Sequence, residues 1–90
     1  MISEDPEFDI LSALADKDVL TLAKGLSKEE LRSPFTDGAF GLDERATNQA
    51  IRKMKAAGLI SSRRDGNDHV YFLNKTRFLD IIGFLQGLVE

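Results

Sequence analysis

Four residues in this 90-residue chain combine side-chain chemistry with spacing. Within DERATNQAIRKMKAAG, Arg45, Asn48, Gln49 and Arg52 recur at intervals of three or four, which on a helix sets them along one side. Guanidinium and carboxamide groups are the chemistry that reads base edges, Arg bidentate to guanine and Asn or Gln bidentate to adenine. Lys53 and Lys55 flank the group and could reach phosphates on either side of a groove. A second cationic pair, Arg63 and Arg64, follows in SSRRDGNDHVYFL, where it could contact the backbone or enter the minor groove beside a helix seated in the major groove. Glu44, at the leading end of the helix, works against phosphate. Asp65 and Asp68 are both available to pair with the arginines.

Other chemistries have little support. The chain has no cysteine and one histidine, which excludes disulfides, thiolate metal sites and cysteine nucleophiles and leaves no cofactor or metal site to propose. No nucleophile–base pair or phosphate-cradling glycine loop is present, so no enzyme is expected. His69 and Tyr71 read as hairpin packing residues. The opening MISEDPEFD is acidic where a secretory signal would be basic, and no apolar run reaches membrane-span length, so a cytoplasmic protein is expected.

The elements that must position these residues follow from turn and cap signals. DPEFDILSALAD predicts a first helix with Pro6 in its first turn and an inward stripe of Phe8, Leu11, Leu14 and Ala15. DKDVLTLAKG predicts a second helix burying Val19, Leu20, Leu22 and Ala23, with Gly25 ending it in a left-handed conformation. SKEELRS, with Ser27 and Glu30 spaced as a capping box, predicts a third short helix. Residues 34–42 carry one proline and two glycines and predict a loop pinned by Phe35 or Phe40.

The helix from Asp43 to Ala57 has the clearest ends, Asp43 as N-cap and Gly58 just beyond the C-terminus, with Ala46, Thr47, Ala50, Ile51 and Met54 on its inner side. Strands near 59–64 and 69–73 bracket a turn at Asp65-Gly66 or across Asp65 to Asp68, with Ile60, Val70 and Phe72 pointing inward. A closing helix follows over KTRFLDIIGFLQGLVE. The fold class is therefore mainly α with a small β-hairpin (α+β). It has three helices, a recognition helix, a two-stranded wing and a C-terminal helix, all in one domain over 1–90.

Charge is divided along the chain in a way that suits a polyanion. Residues 1–43 hold ten acidic and four basic side chains, residues 44–68 hold three acidic and six basic, and residues 69–90 hold two of each. The net charge of −3 thus hides a basic middle, and a phosphate feels the local field, since screening cuts in at about 10 Å.

ILSALADKDVLTLAKGLS resembles the opening of ArsR-type repressors. LDERATNQAIRKMKAAGLISSRRDGNDHVYFLN is similar to their recognition helix and wing, so the resemblance spans most of residues 10–74. It implies a homodimeric, prokaryotic, sequence-specific regulator of transcription that binds double-stranded DNA. By the same resemblance, the reading face falls on Glu44, Arg45, Asn48, Gln49 and Arg52, and the wing on Arg63 to His69. The sequence departs from the family at residues 34–42, where three or four residues usually suffice, and in lacking metal-sensing cysteines, so metal sensing is not carried over.

In the closing helix, Phe78, Ile81, Ile82, Leu85, Leu88 and Val89 share helical spacing, while Leu79 and Phe84 lie off that stripe. Apolar residues over so much of the circumference imply a partner surface, and residues 75–90 are expected to serve both packing and dimerisation. A competing reading is a winged-helix module that binds protein without strong DNA affinity, favoured by Glu44 and the acidic N-terminal half.

Overall fold

Three aspartates start three of the helices. In the computed structural model, which describes residues 5–33 and 38–90, Asp5 accepts from the backbone N–H of Phe8 at 3.0 Å and opens α1 (Pro6–Leu14). Asp16 accepts from Asp18 and Val19 at 2.9 and 3.2 Å and opens α2 (Lys17–Leu26). Asp43 accepts from Ala46 at 2.7 Å and opens α3 (Glu44–Ala56). Each carboxylate satisfies amides that the helix leaves without partners and sits at its positive end. The fourth helix, α4 (Lys75–Leu88), follows Asn74, whose side chain is used elsewhere.

The strands form a three-stranded antiparallel sheet in the order β1-β3-β2, from β1 (Leu31–Ser33), β2 (Ile60–Asp65) and β3 (Asp68–Leu73). The expected third helix over residues 27–33 is not formed. Ser27 instead closes α2, its hydroxyl donating to the Lys24 carbonyl at 2.6 Å, and the chain from Leu31 adds to the free edge of β3. That edge supplies backbone partners and buries Leu31, a long-range gain that a three-residue stretch does not announce. The wing is thus two strands of a three-stranded sheet.

The core gathers Ile10, Val19, Leu22, Leu26, Leu31, Ala50, Ile51, Met54, Leu59, Ile60 and Ile81 from every helix and from two strands. Two expected stripes shift. On α1, Ile10 is 1% exposed and Phe8 65%, so the inner face is Ile10, Ala13 and Leu14, and Phe8, Leu11 and Ala15 face out. On α2, Leu26 takes the buried place expected of Leu20, because the helix runs one residue past Gly25 and keeps Val19, Leu22 and Leu26 in line.

Gly25 does not end α2; it lies within it, where an added Cβ would collide with the ring of Phe40. Phe40 is held in a left-handed conformation (φ 53°) in a 3-10 turn over Ala39–Gly41, and its ring lies over that glycine. Phe40 therefore pins the loop as expected, while Phe35 lies outside the described residues. Among the described residues, no helix is long and apolar enough to cross a membrane.

Candidate nucleic-acid interface

The position of α3 is fixed at both ends and along one side. Thr47, Ala50, Ile51 and Met54 are buried, largely against α2, and the Thr47 hydroxyl donates back to the Asp43 carbonyl at 2.8 Å. At the far end Gly58 takes a left-handed φ of 73°, the conformation expected of it. Two residues that sequence reasoning passed over then close the helix. The Asn74 carboxamide donates to the Gly58 carbonyl at 3.0 Å, and the Arg77 Nε donates to the Ala57 carbonyl at 3.3 Å. Both lie at the start of α4, sixteen or more residues away, so no local pattern could have shown them.

This seating leaves Arg45, Asn48, Gln49 and Arg52 exposed on the outer side of α3. Among the described residues, none of the four makes a side-chain hydrogen bond or ion pair. Lys53 and Lys55 leave this stripe on opposite sides. Lys53 pairs with Asp16, and the hydrogen bond from Lys53 is the largest cause holding that carboxyl below its ordinary range. Lys55 turns to the sheet, its Nζ 5.1 Å from the centre of the Tyr71 ring.

The hairpin turn is Gly66-Asn67, with Asp65 and Asp68 facing each other across it. Strand alternation sends the two adjacent arginines to opposite faces. Arg64 opposes His69 and shares its face with Tyr71, the residue under Lys55. Arg63 opposes Val70 on the other face. The register also corrects the expected core set: Ile60, Tyr71 and Leu73 point to the core, whereas Val70 and Phe72 lie on the reverse face, because Ile60 pairs with Leu73. Val70 is nonetheless fully buried, between its ladder neighbours Arg32 and Arg63.

That reverse face carries an ion network. Arg63 donates to both oxygens of Glu30, at 2.6 and 2.8 Å, and its guanidinium lies 5.6 Å from the Phe72 ring centre. Arg32 donates to Asp65 at 2.6 Å and to Asp68 at 3.3 Å. The hydrogen bonds from Arg63 and Arg32 hold the Glu30 and Asp65 carboxyls below their ordinary range and raise both guanidinium values. Asp65 and Asp68 therefore serve Arg32, a residue that composition alone gave no reason to single out. Arg64 is exposed and has no ion pair or ring contact among the described residues.

The hydrophobic surface gathers on α1 and α4. Of the six residues expected at a partner surface, Phe78 packs on the core and Ile81 is 4% exposed, so these two are interior. Ile82, Leu85, Leu88 and Val89 are exposed, and so are Leu79 and Phe84. Phe8 and Leu11 are exposed on α1, which packs against α4. The stripe is displaced because α1 covers only a narrow side of α4.

A helix bearing unpartnered guanidinium and carboxamide groups, seated on a preceding helix and followed by a β-hairpin, defines a winged helix-turn-helix protein. Comparison with known proteins places the chain further. No protein-family model matches it. It is 32% identical over 87 residues to the nodulation protein NolR of Rhizobium meliloti, covering 94% of this chain and 71% of that protein. The crystal structure of NolR from Sinorhizobium fredii superposes with a TM-score of 0.69 at 28% identity, over 98% of this chain and 94% of that one. A crystal structure of an ArsR family transcriptional regulator shares the fold, with a TM-score of 0.69 at 18% identity over 98% and 92% of the two chains. The chain belongs to the ArsR-like winged helix-turn-helix family of DNA-binding transcriptional regulators.

Proposed function

We propose that the chain is a single-domain, cytoplasmic, homodimeric regulator of repressor type. It reads the major groove of double-stranded DNA with Arg45, Asn48, Gln49 and Arg52, and touches the backbone or minor groove with its wing. The observation that carries this reading is the outer side of α3, where all four groups are exposed and none has a partner among the described residues. Polar groups satisfied by nothing but water remain available to base edges. Lys55 and Arg64 supply phosphate contacts from one side. Lys53 and Arg63 are also cationic contacts, but each must exchange an internal carboxylate for a phosphate.

Dimerisation is assigned to α4 and α1. Ile82, Leu85, Leu88 and Val89 with Leu79, Phe8 and Leu11 are all exposed on these two packed helices, and apolar side chains gathered on one side of a small domain suit a partner surface. A two-fold dimer would present its α3 helices to half-sites about one DNA turn apart.

One observation favours the competing interaction module: Lys53, Arg63 and Arg32 are already neutralised by carboxylates of the same chain. Titration of the protein with duplex DNA at low salt separates the two readings. The expected result is association that weakens steeply as salt is added, because released counterions drive it. Absence of association at low salt would establish the module instead.

A further inference from the structure

Arg32 stands on β1, outside the reading helix and outside the hairpin, yet its guanidinium spans both carboxylates at the wing tip. Asp65 and Asp68 are the ladder pair that brackets the Gly66-Asn67 turn. By strand parity Arg32, Arg63, Asp65, Val70 and Asp68 lie on one face of the sheet, and Arg64 and His69 lie on the other. Acidic groups of the wing are thus collected on the reverse face and held there by Arg32, while Arg64 stands on the side of the sheet nearest Lys55 of α3.

A wing tip with two free carboxylates would repel the backbone it approaches. Asp65 is next to Arg64 in the chain and Asp68 is next to His69, the residue that opposes Arg64 across the ladder, so release of either carboxylate would return a negative charge beside the cation meant for phosphate. The three groups are part-exposed, with side-chain accessibilities of 43% for Arg32, 54% for Asp65 and 31% for Asp68. At that exposure a fixed counter-charge changes the field felt by a partner more than it changes the stability of the fold.

We propose that Arg32 is a positioning residue for wing–DNA contact. It draws the tip carboxylates to the reverse face and neutralises them, and so leaves the Arg64 side of the wing open to phosphate. This role rests on the DNA-binding reading above.

The test is equilibrium binding of the full chain to a random-sequence duplex at low salt, with thermal melts of each variant. Arg32→Ala is expected to bind about tenfold more weakly than wild type, since two carboxylates lose their counter-charge. Adding Asp65→Asn and Asp68→Asn to Arg32→Ala is expected to restore affinity to within about twofold of wild type, because both charges are gone while the shapes remain. Arg32→Lys, which keeps the charge on the same strand, should bind nearly as wild type does, and a loss of affinity in both Arg32→Lys and the triple variant would overturn the role.

An Arg32→Ala defect that persists in the triple variant would show direct phosphate contact or a purely structural part for Arg32, and would also overturn it. If wild type binds and Arg32→Ala binds equally well, the shielding role fails while DNA binding stands. If no variant and no wild type associates with DNA, the DNA-binding reading fails and the role fails with it.

Discussion

Arg63 and Arg64 are adjacent in sequence and differ in everything the structure adds. Arg63 is clamped by both oxygens of Glu30 and lies against Phe72, whereas Arg64 is exposed and unpaired among the described residues. An arginine that must surrender a bidentate carboxylate gains less from phosphate than one surrendering only water. Arg64→Ala is therefore expected to weaken binding to all duplexes and to lower the slope of log affinity against log salt by about one, with Arg63→Ala changing both less. Equal slopes for the two variants would contradict the distinction.

On α3 the expected effect differs in kind. Asn48→Ala should cost about 1–3 kcal/mol at one base pair and leave non-specific binding intact, as a panel of single-base operator variants would show. The exposed polar side of α3 is legible because helical spacing alone sorts Arg45, Asn48, Gln49 and Arg52 from the buried Thr47, Ala50, Ile51 and Met54. The partners of the arginines are not. Glu30 and Arg32 lie some thirty residues from the groups they bind, and only the pairing of β1 with β3 brings them together.

Elements with strong local end signals are legible in the sequence, and the short β1 is not. Asp43 and Gly58 bound α3 as expected, and the hairpin stands where the Asp-Gly signal put it. The stretch at Ser27 to Ser33 misled because Ser27 and Glu30 mimic a capping box, while the real cause of β1 is an unpaired strand edge supplied from residue 68 onward. Gly25 misled for a related reason: a glycine late in a helix reads as a terminator, but this one makes room for a ring fifteen residues away.

Gly25→Ala is expected to destabilise the protein by about 1–3 kcal/mol, since the methyl group must displace an aromatic ring. In a Phe40→Ala background the same change should be close to neutral, so denaturant melts of the double-mutant cycle test the contact directly. Asn74→Ala removes a hydrogen bond that closes α3, and should lower stability by about 0.5–1.5 kcal/mol. Its further expected effect is weaker operator binding, because the helix end that carries Arg52 and Lys55 is less firmly held.

For the molecule as a whole, the acidic N-terminal half is explained by where its charges go. Asp5, Asp16 and Asp43 cap helices, and Asp16 and Glu30 also brace Lys53 and Arg63. The Asp16, Glu30 and Asp65 carboxyls all titrate below their ordinary range, first because of the hydrogen bonds from Lys53, Arg63 and Arg32. A carboxyl whose folded value is depressed contributes stability that is present above its unfolded value and lost as pH falls through the folded one. The melting temperature should therefore hold from neutral pH down to about pH 5 and decline below about pH 4, shallowly because the groups are exposed. Asp16→Asn combined with Glu30→Gln should flatten that decline.

In the proposed dimer, the apolar face on α1 and α4 is the interface. Ile82→Asp with Leu85→Asp is expected to give a folded monomer in sedimentation, with operator affinity falling because the two half-sites are no longer joined. The central claim, that a two-fold pair of α3 helices reads double-stranded DNA, is tested most directly by selecting bound sequences from a random duplex pool. The expected result is a consensus with two-fold symmetry and half-site centres about 10 base pairs apart. Recovery of sequences with no enrichment over the starting pool would contradict it.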